Sequence, residues 1–460
     1  MSDWHPELEA STKPRYLAIA DAIALDIRAG RLAAEDRLPP QRKLAARLGL
    51  DFTTVARGYG EAQRRGLIVS KVGQGTCVAD GAPQKPAPAP GRAMPSDLSM
   101  NLPPEPDDPA LLARMRAGVA AVTDDLVGLL RYQGFGGTAA DKAAAASWLG
   151  RRALVPAEER VFVTPGAHPA LLGILSHLAK PGDTILAEAI TYPGVRGIAA
   201  QLGLTVQGLP MDREGIDPDS FAAACRQGAP KALYLNPTLQ NPTTLTIPKA
   251  RRDAIAATAR RFGVPIVEDD AYGFIPLKSP PPFAALAPDL TWHIAGLAKS
   301  IGAGLRTAYT VVPDSRAGWP FAAALRAGTV MASPLTAAIA TRWIEDGTAD
   351  AILRFIRTEA AARQALASEI LPPGSFQADP MAFNLWVELP PSWTRSAFVG
   401  HMRATGLGVV ASDAFTVSGP PLEAIRVCLG GPIARASLRR GLEFMAHALS
   451  ETPELASHFL

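Results

Sequence analysis

Cysteine is scarce: Cys77, Cys225 and Cys428 are the only three in 460 residues. They are scattered and lack a CxxC spacing, which excludes a disulfide frame and a thiolate zinc site. The seven histidines show no HExxH or other close pairing, so no metal is expected. No uninterrupted apolar run is long enough to span a bilayer. The opening Met1-Ser-Asp-Trp-His-Pro-Glu is acidic and polar and argues against a secretory leader, so a cytoplasmic protein without a membrane partner is expected. Charge of one sign is also lacking overall, the net value being +3. What remains is 48% hydrophobic and 19% charged, an ordinary globular chain, too long for one compact domain.

The small positive excess is local. Between Arg37 and Gly75 stand Arg37, Arg42, Lys43, Arg47, Arg57, Arg64, Arg65 and Lys71, against Asp51 and Glu61. Such a surface attracts a phosphate backbone. Tyr16, Ile19, Ile23 and Ile27 recur at helical spacing, and Gly30 ends that helix. Helices are predicted over Pro40–Leu48 and about Phe52–Arg65, the second with Asp51 as N-cap and Gly66 just past its end. The Leu48-Gly49-Leu50-Asp51 connection has the length of a helix-turn-helix turn. Leu67–Lys71 and Thr76–Ala79, joined by Gly73-Gln-Gly75, read as a hairpin. The run Leu38-Pro-Pro-Gln-Arg42-Lys-Leu-Ala-Ala-Arg-Leu-Gly49, then Thr53-Thr-Val55 and Gly73-Gln-Gly-Thr76, resembles the winged helix-turn-helix of the GntR superfamily. The resemblance implies that Arg42, Thr53, Thr54 and Arg57 approach phosphates and base edges of operator double-stranded DNA, with Gln74 in the minor groove. Phe52 departs from the polar residue common after the cap.

Gly81–Gly91 is a Pro/Ala tract without helical or strand period, a semi-rigid spacer. The expected organisation is therefore a DNA-binding domain over 1–80, a linker over 81–98 and an α/β domain over 99–460. In the α/β domain, strands Val161–Val163, Thr184–Ala187, Ala232–Leu235, Pro265–Glu268, His293–Ala295 and Ala308–Val312 alternate with helical stretches. That pattern predicts a large, mainly parallel sheet, followed from about Gly318 by a smaller α+β lobe that includes Phe383–Val387. Gly296-Leu-Ala-Lys299-Ser300 lacks the P-loop glycine spacing, and no dinucleotide fingerprint occurs.

The strand ends carry a different chemistry. Lys299 ends an apolar run, with Arg306 beyond a Gly-Ala-Gly loop, which suits an anionic aldehyde. Asp269 can pair with a protonated pyridine nitrogen; Asn241 and Tyr272 can bond a phenolic oxygen. Thr164-Pro-Gly166-Ala167-His168 opens a helix suited to a phosphate, and Tyr192 can stack on a ring. Taken singly, Lys299 is a loop lysine, Asp269 a helix cap, Asn241 a turn residue and Tyr192 core.

In this order the stations resemble the fold-type I aminotransferases, which use pyridoxal 5'-phosphate (PLP), over nearly all of Asn101 to Ser450. The resemblance implies that Lys299 is the Schiff-base lysine and Asp269 the pyridinium partner. Asn241 and Tyr272 meet the ring hydroxyl, and Tyr192 stacks. Arg306 with Gly166, Ala167 and His168 holds the phosphate. Tyr132 reaches across a dimer interface, and Arg426 binds a substrate carboxylate. Gly296 stands where relatives carry a phosphate-binding serine, Thr244 replaces a turn glycine, and Thr138-Ala-Ala-Asp-Lys-Ala lacks a common Leu-Arg pair. The combination resembles the MocR-type regulators. It implies a PLP-dependent transcriptional regulator that senses an amino compound or PLP, as a head-to-tail homodimer. An active aminotransferase with an accessory DNA-binding module is the alternative, and a cofactor-free dimerisation domain a third reading.

Overall fold

The computed structural model describes residues 4–6, 14–28, 31–71, 75–80 and 99–451. Gly30, Gly73, Gln74 and the linker 81–98 lie outside the described residues. The chain divides between residues 95 and 96 into two compact units.

In the first unit, helices α1 (Arg15–Arg28), α2 (Gln41–Leu48) and α3 (Phe52–Arg64) precede the antiparallel strands β1 (Ile68–Lys71) and β2 (Gly75–Val78). The apolar stripe of α1 (Ile19, Ile23, Ile27) meets Leu44, Val55, Tyr59 and Ala62 in one core. Each such fully buried aliphatic contributes about 1.5–3 kcal/mol. Gly49 ends α2 in the left-handed conformation at φ 63°. Asp51 caps α3, accepting from the Thr54 amide at 2.7 Å. The buried Tyr59 hydroxyl donates to the Pro39 carbonyl at 2.8 Å and so fixes the entry to α2.

The second unit holds a seven-stranded sheet: β3 (Val161–Thr164), β4 (Thr184–Glu188), β5 (Thr205–Leu209), β6 (Leu233–Leu235), β7 (Ile266–Asp269), β8 (Thr291–Gly296) and β9 (Ala308–Val311). Their spatial order is β3-β9-β8-β7-β6-β4-β5. All are parallel except β9, which runs against both neighbours. Side-chain alternation feeds both faces. Val161 and Val163 join a core with Trp148, Tyr309 and Ile352, whereas Phe162 packs with Leu171, Ile174, Trp292 and Phe321 on the other side. Edge strand β5 was not expected from sequence; its Thr-Val-Gln-Gly-Leu run contains Gly208, a weak strand former.

A second sheet is antiparallel: β10 (Phe376–Gln377), β11 (Asn384–Glu388), β12 (Gly408–Ala411) and β13 (Ala424–Cys428), in the order β10-β11-β13-β12. The small lobe thus begins later than the sequence suggests. Helix Ser315–Thr329 packs Phe321 and Leu325 into the large-sheet core. Gly318 is a packing contact and not a boundary, since a Cβ there would lie 3.0 Å from Phe162. Among the described residues no helix is long and apolar enough to cross a membrane.

Candidate functional site

A cavity of about 490 Å³ opens at the C-terminal ends of the parallel strands, where loops diverge and ligands bind in open α/β sheets. Ten of the eleven residues expected at the cofactor and substrate site line it: Lys299, Asp269, Tyr272, Asn241, Arg306, Tyr192, Gly166, Ala167, His168 and Arg426. Tyr132 does not; it is 86% exposed on the surface.

One corner is built for an anion. The helix Ala167–Leu178 starts there, with the free amides and positive dipole end of any helix N-terminus. Gly166 precedes it at φ 101°, a conformation that favours glycine. The Arg306 guanidinium closes over this turn, 3.2 Å from where a Gly166 Cβ would stand. A Cβ on Gly296 would come 3.7 Å from Ala167 Cβ, so position 296 faces the same corner without offering a hydroxyl. An anion in this corner would meet Arg306 and the helix amides. The His168 ring meets the Tyr192 hydroxyl and crosses the Tyr192 ring at 63°.

The centre is built for a cationic heterocycle. Asp269 ends β7; its Oδ2 accepts from the Tyr234 hydroxyl at 2.9 Å. Its Oδ1 is buried with no hydrogen-bond partner among the described residues. Burial pushes the Asp269 carboxyl up to about 6, against the Tyr234 hydrogen bond. An orphaned carboxylate oxygen of this kind calls for a protonated ring nitrogen. The fit to PLP rests on this oxygen and the anion corner. Asn236 holds the neighbourhood, its amide donating to the Asp269 carbonyl at 2.6 Å and its Oδ1 accepting from Asn241 N at 2.8 Å.

Lys299 stands in a wide helical turn over Ala298–Gly302, its Nζ 5.9 Å from the Tyr272 ring centroid. Burial, with Arg426 nearby, lowers its pKa from 10.5 to about 8. Arg426 projects from β13 of the small sheet. Its Nη1 donates to Asn241 Oδ1 at 2.9 Å. Its guanidinium lies 4.9 Å from the Phe415 ring. Sequence reasoning missed Tyr234, Asn236, Asn101, Val410 and Phe415. Asn236 alone carried a signal, an asparagine directly after a strand; Tyr234 lies inside an interior strand, and the others come from loops and an edge strand with no motif.

In the first unit, Arg42 and Arg57 are exposed and each lies over an aromatic ring, Phe52 at 5.7 Å and Tyr16 at 4.3 Å. The hydroxyls of Thr53 and Thr54 both donate to Asp51. They hold the Asp51 carboxyl at about 2 and brace the start of α3.

Comparison with known proteins matches residues 97–443 to aminotransferase class I and II, and residues 15–78 to the bacterial regulatory proteins of the gntR family. The chain is 27% identical over 457 residues to the uncharacterized HTH-type transcriptional regulator YdeF of Bacillus subtilis, covering 97% of each. It is 29% identical over 417 residues to the vitamin B6 salvage pathway transcriptional repressor PtsJ of Salmonella typhimurium, covering 87% of this chain and 91% of that one. In fold it is similar to LysN, an alpha-aminoadipate aminotransferase of Thermus thermophilus solved with N-(5'-phosphopyridoxyl)-L-leucine. There the TM-score is 0.69 at 21% identity, over 78% of this chain and 92% of that one.

Proposed function

Because the chain belongs to the class I and II aminotransferase family and carries a gntR-family domain ahead of it, we propose that it is a PLP-dependent, DNA-binding transcriptional regulator responding to an amino compound. The observation that carries the cofactor reading is the orphaned Asp269 Oδ1 in the same cavity as Lys299 and the Arg306 corner. When bound, PLP supplies an electrophilic aldehyde and an electron-withdrawing ring. Lys299 supplies the amine, Asp269 keeps a proton on the ring nitrogen, and Arg306 with the Gly166–His168 turn holds the phosphate. Tyr192 covers the ring, Tyr272 and Asn241 orient its oxygen, and Arg426 takes the carboxylate of an amino ligand.

The lowered Lys299 pKa sets a pH dependence. Only the neutral amine reacts, and the fold favours that form, so PLP uptake rises with pH through about 8, not the ordinary 10.5. Stopped-flow absorbance reads the midpoint; Arg426→Gln moves it upward by removing the neighbouring cation. A midpoint near the ordinary lysine value contradicts the assignment.

Operator binding follows from the basic first unit. Arg42→Ala and Arg57→Ala each weaken it and lower the salt dependence of log K by about 0.9 per lost phosphate contact. Fluorescence anisotropy across a salt series measures this; an unchanged slope for both excludes these arginines from the interface. Homodimerisation is supported by Leu126, Val127, Leu130, Tyr132 and Phe135, apolar residues 43–86% exposed within one short stretch. Leu130→Asp shifts sedimentation toward the monomer, and an unchanged profile rejects this face. The assembled lysine, carboxylate and arginine also suit an aminotransferase. Sustained turnover of an amino donor with a keto acid, without ligand effect on DNA binding, favours that reading.

A further inference from the structure

One short stretch, Ser99–Leu102, meets both cations on which an amino ligand depends. Lys299 Nζ donates to the Asn101 carbonyl, and Arg426 Nη2 donates to the Ser99 carbonyl. The Cys428 thiol lies 3.8 Å from that same Ser99 oxygen. All four residues of the stretch line the cavity. Its downstream end is fixed. The Pro103 carbonyl accepts from Gly431 N at 3.0 Å, and an added Cβ at Gly430 would collide with the Leu102 carbonyl. Asn101 is pinned by its side chain, whose Nδ2 donates to the Tyr272 hydroxyl at 3.0 Å and to Asn384 Oδ1 at 2.9 Å. Two residues upstream, Ser99 meets the site through its carbonyl, and in sequence it follows directly on segment 81–98, which leads back to the winged helix.

A guanidinium held by a neutral carbonyl is held by its weaker class of partner. A carboxylate brings full charge and two oxygens to the same fork. We propose that the Ser99 carbonyl is an internal competitor for Arg426, so that a carboxylate-bearing amino ligand displaces Ser99 and releases the tether leading to the DNA-binding unit. The proposal rests on the reading of Arg426 as the carboxylate site. Asn101 acts as the pivot, because its side-chain bonds do not involve Arg426. Linkage makes the effect reciprocal: whatever restrains the tether also lowers the affinity for the carboxylate.

Two adducts differing only in that group test it: N-(5'-phosphopyridoxyl)-L-alanine and N-(5'-phosphopyridoxyl)ethylamine, each bound to the full-length wild-type chain. Calorimetry measures binding, and hydrogen–deuterium exchange follows the peptide containing Ser99–Leu102. With the alanine adduct, exchange there is faster by about threefold or more than with the ethylamine adduct. Arg426→Gln erases the difference, while the wild-type comparison stands independently of how that variant folds. Tighter binding of the alanine adduct with identical exchange at Ser99–Leu102 overturns the competitor role and leaves Arg426 as the carboxylate site. Equal affinity for the two adducts overturns the Arg426 reading, and this proposal with it.

Discussion

Lys299→Ala abolishes the lysine-linked visible absorbance band of the PLP-loaded protein, leaving only that of the free aldehyde, and abolishes its covalent capture by borohydride. PLP affinity falls on the order of 100-fold, the scale of losing a strong polar partner in a buried site. Lys299 is the one lysine among the residues lining the cavity, its Nζ between the Asn101 carbonyl and the Tyr272 ring. His168 and Arg306 cannot replace it, since neither an imidazole nor a guanidinium forms a stable imine. DNA binding without ligand persists, because the substitution leaves the core of the first unit untouched; response to an amino ligand is lost. Retention of the absorbance band in the variant sinks the assignment of Lys299.

The largest stability effect is expected at Asp270. Its side chain is fully buried, with Arg152 Nε 3.1 Å from its carboxylate. Burial opposes its ionisation, but the Arg152 guanidinium, helped by His293 and then Arg252, overrides that and holds the pKa below the ordinary value. Asp270→Ala leaves Arg152 buried without its counter-ion and costs about 3–5 kcal/mol. Urea unfolding measures it. The double replacement Arg152→Met with Asp270→Leu recovers most of the loss, because no lone charge then remains. Since the folded pKa is depressed, the carboxylate's contribution is present above the unfolded value and is lost as pH falls through the folded one. A single-variant loss below about 1 kcal/mol, the scale of an exposed pair, contradicts the argument.

Much of this was readable before folding, for a physical reason. Cofactor chemistry demands particular side chains at strand ends, and strand ends are marked by the change from apolar run to loop. Lys299, Asp269, Asn241 and Gly166 were singled out on that ground, and the fold brings them to one cavity. Asp51 was legible as a cap because capping is local, and it accepts from Thr54 as expected. What depends on tertiary packing was not. The reversed direction of β9 leaves no trace in Ala-Tyr-Thr-Val. Asn101 and Asn384 bond across 283 positions with no periodic signal to join them. Thr53 and Thr54 look like base-reading residues in a helix motif, yet here their hydroxyls are turned to Asp51.

Besides the Ser99–Leu102 stretch, the cavity draws its walls from both sheets. Lys299, Asp269, Tyr272, Asn241 and Arg306 hang from the ends of the large sheet, whereas Val410 and Arg426 belong to the small one, with Phe415 just beyond it. The two sets meet at one bond, Arg426 Nη1 to Asn241 Oδ1, so Val410 and Phe415 can change with no hydrogen bond to the first set at stake. Such a division makes the site modular in evolution: the cofactor apparatus stays constant while the selecting wall drifts, and new signals become accessible without rebuilding the chemistry that detects them.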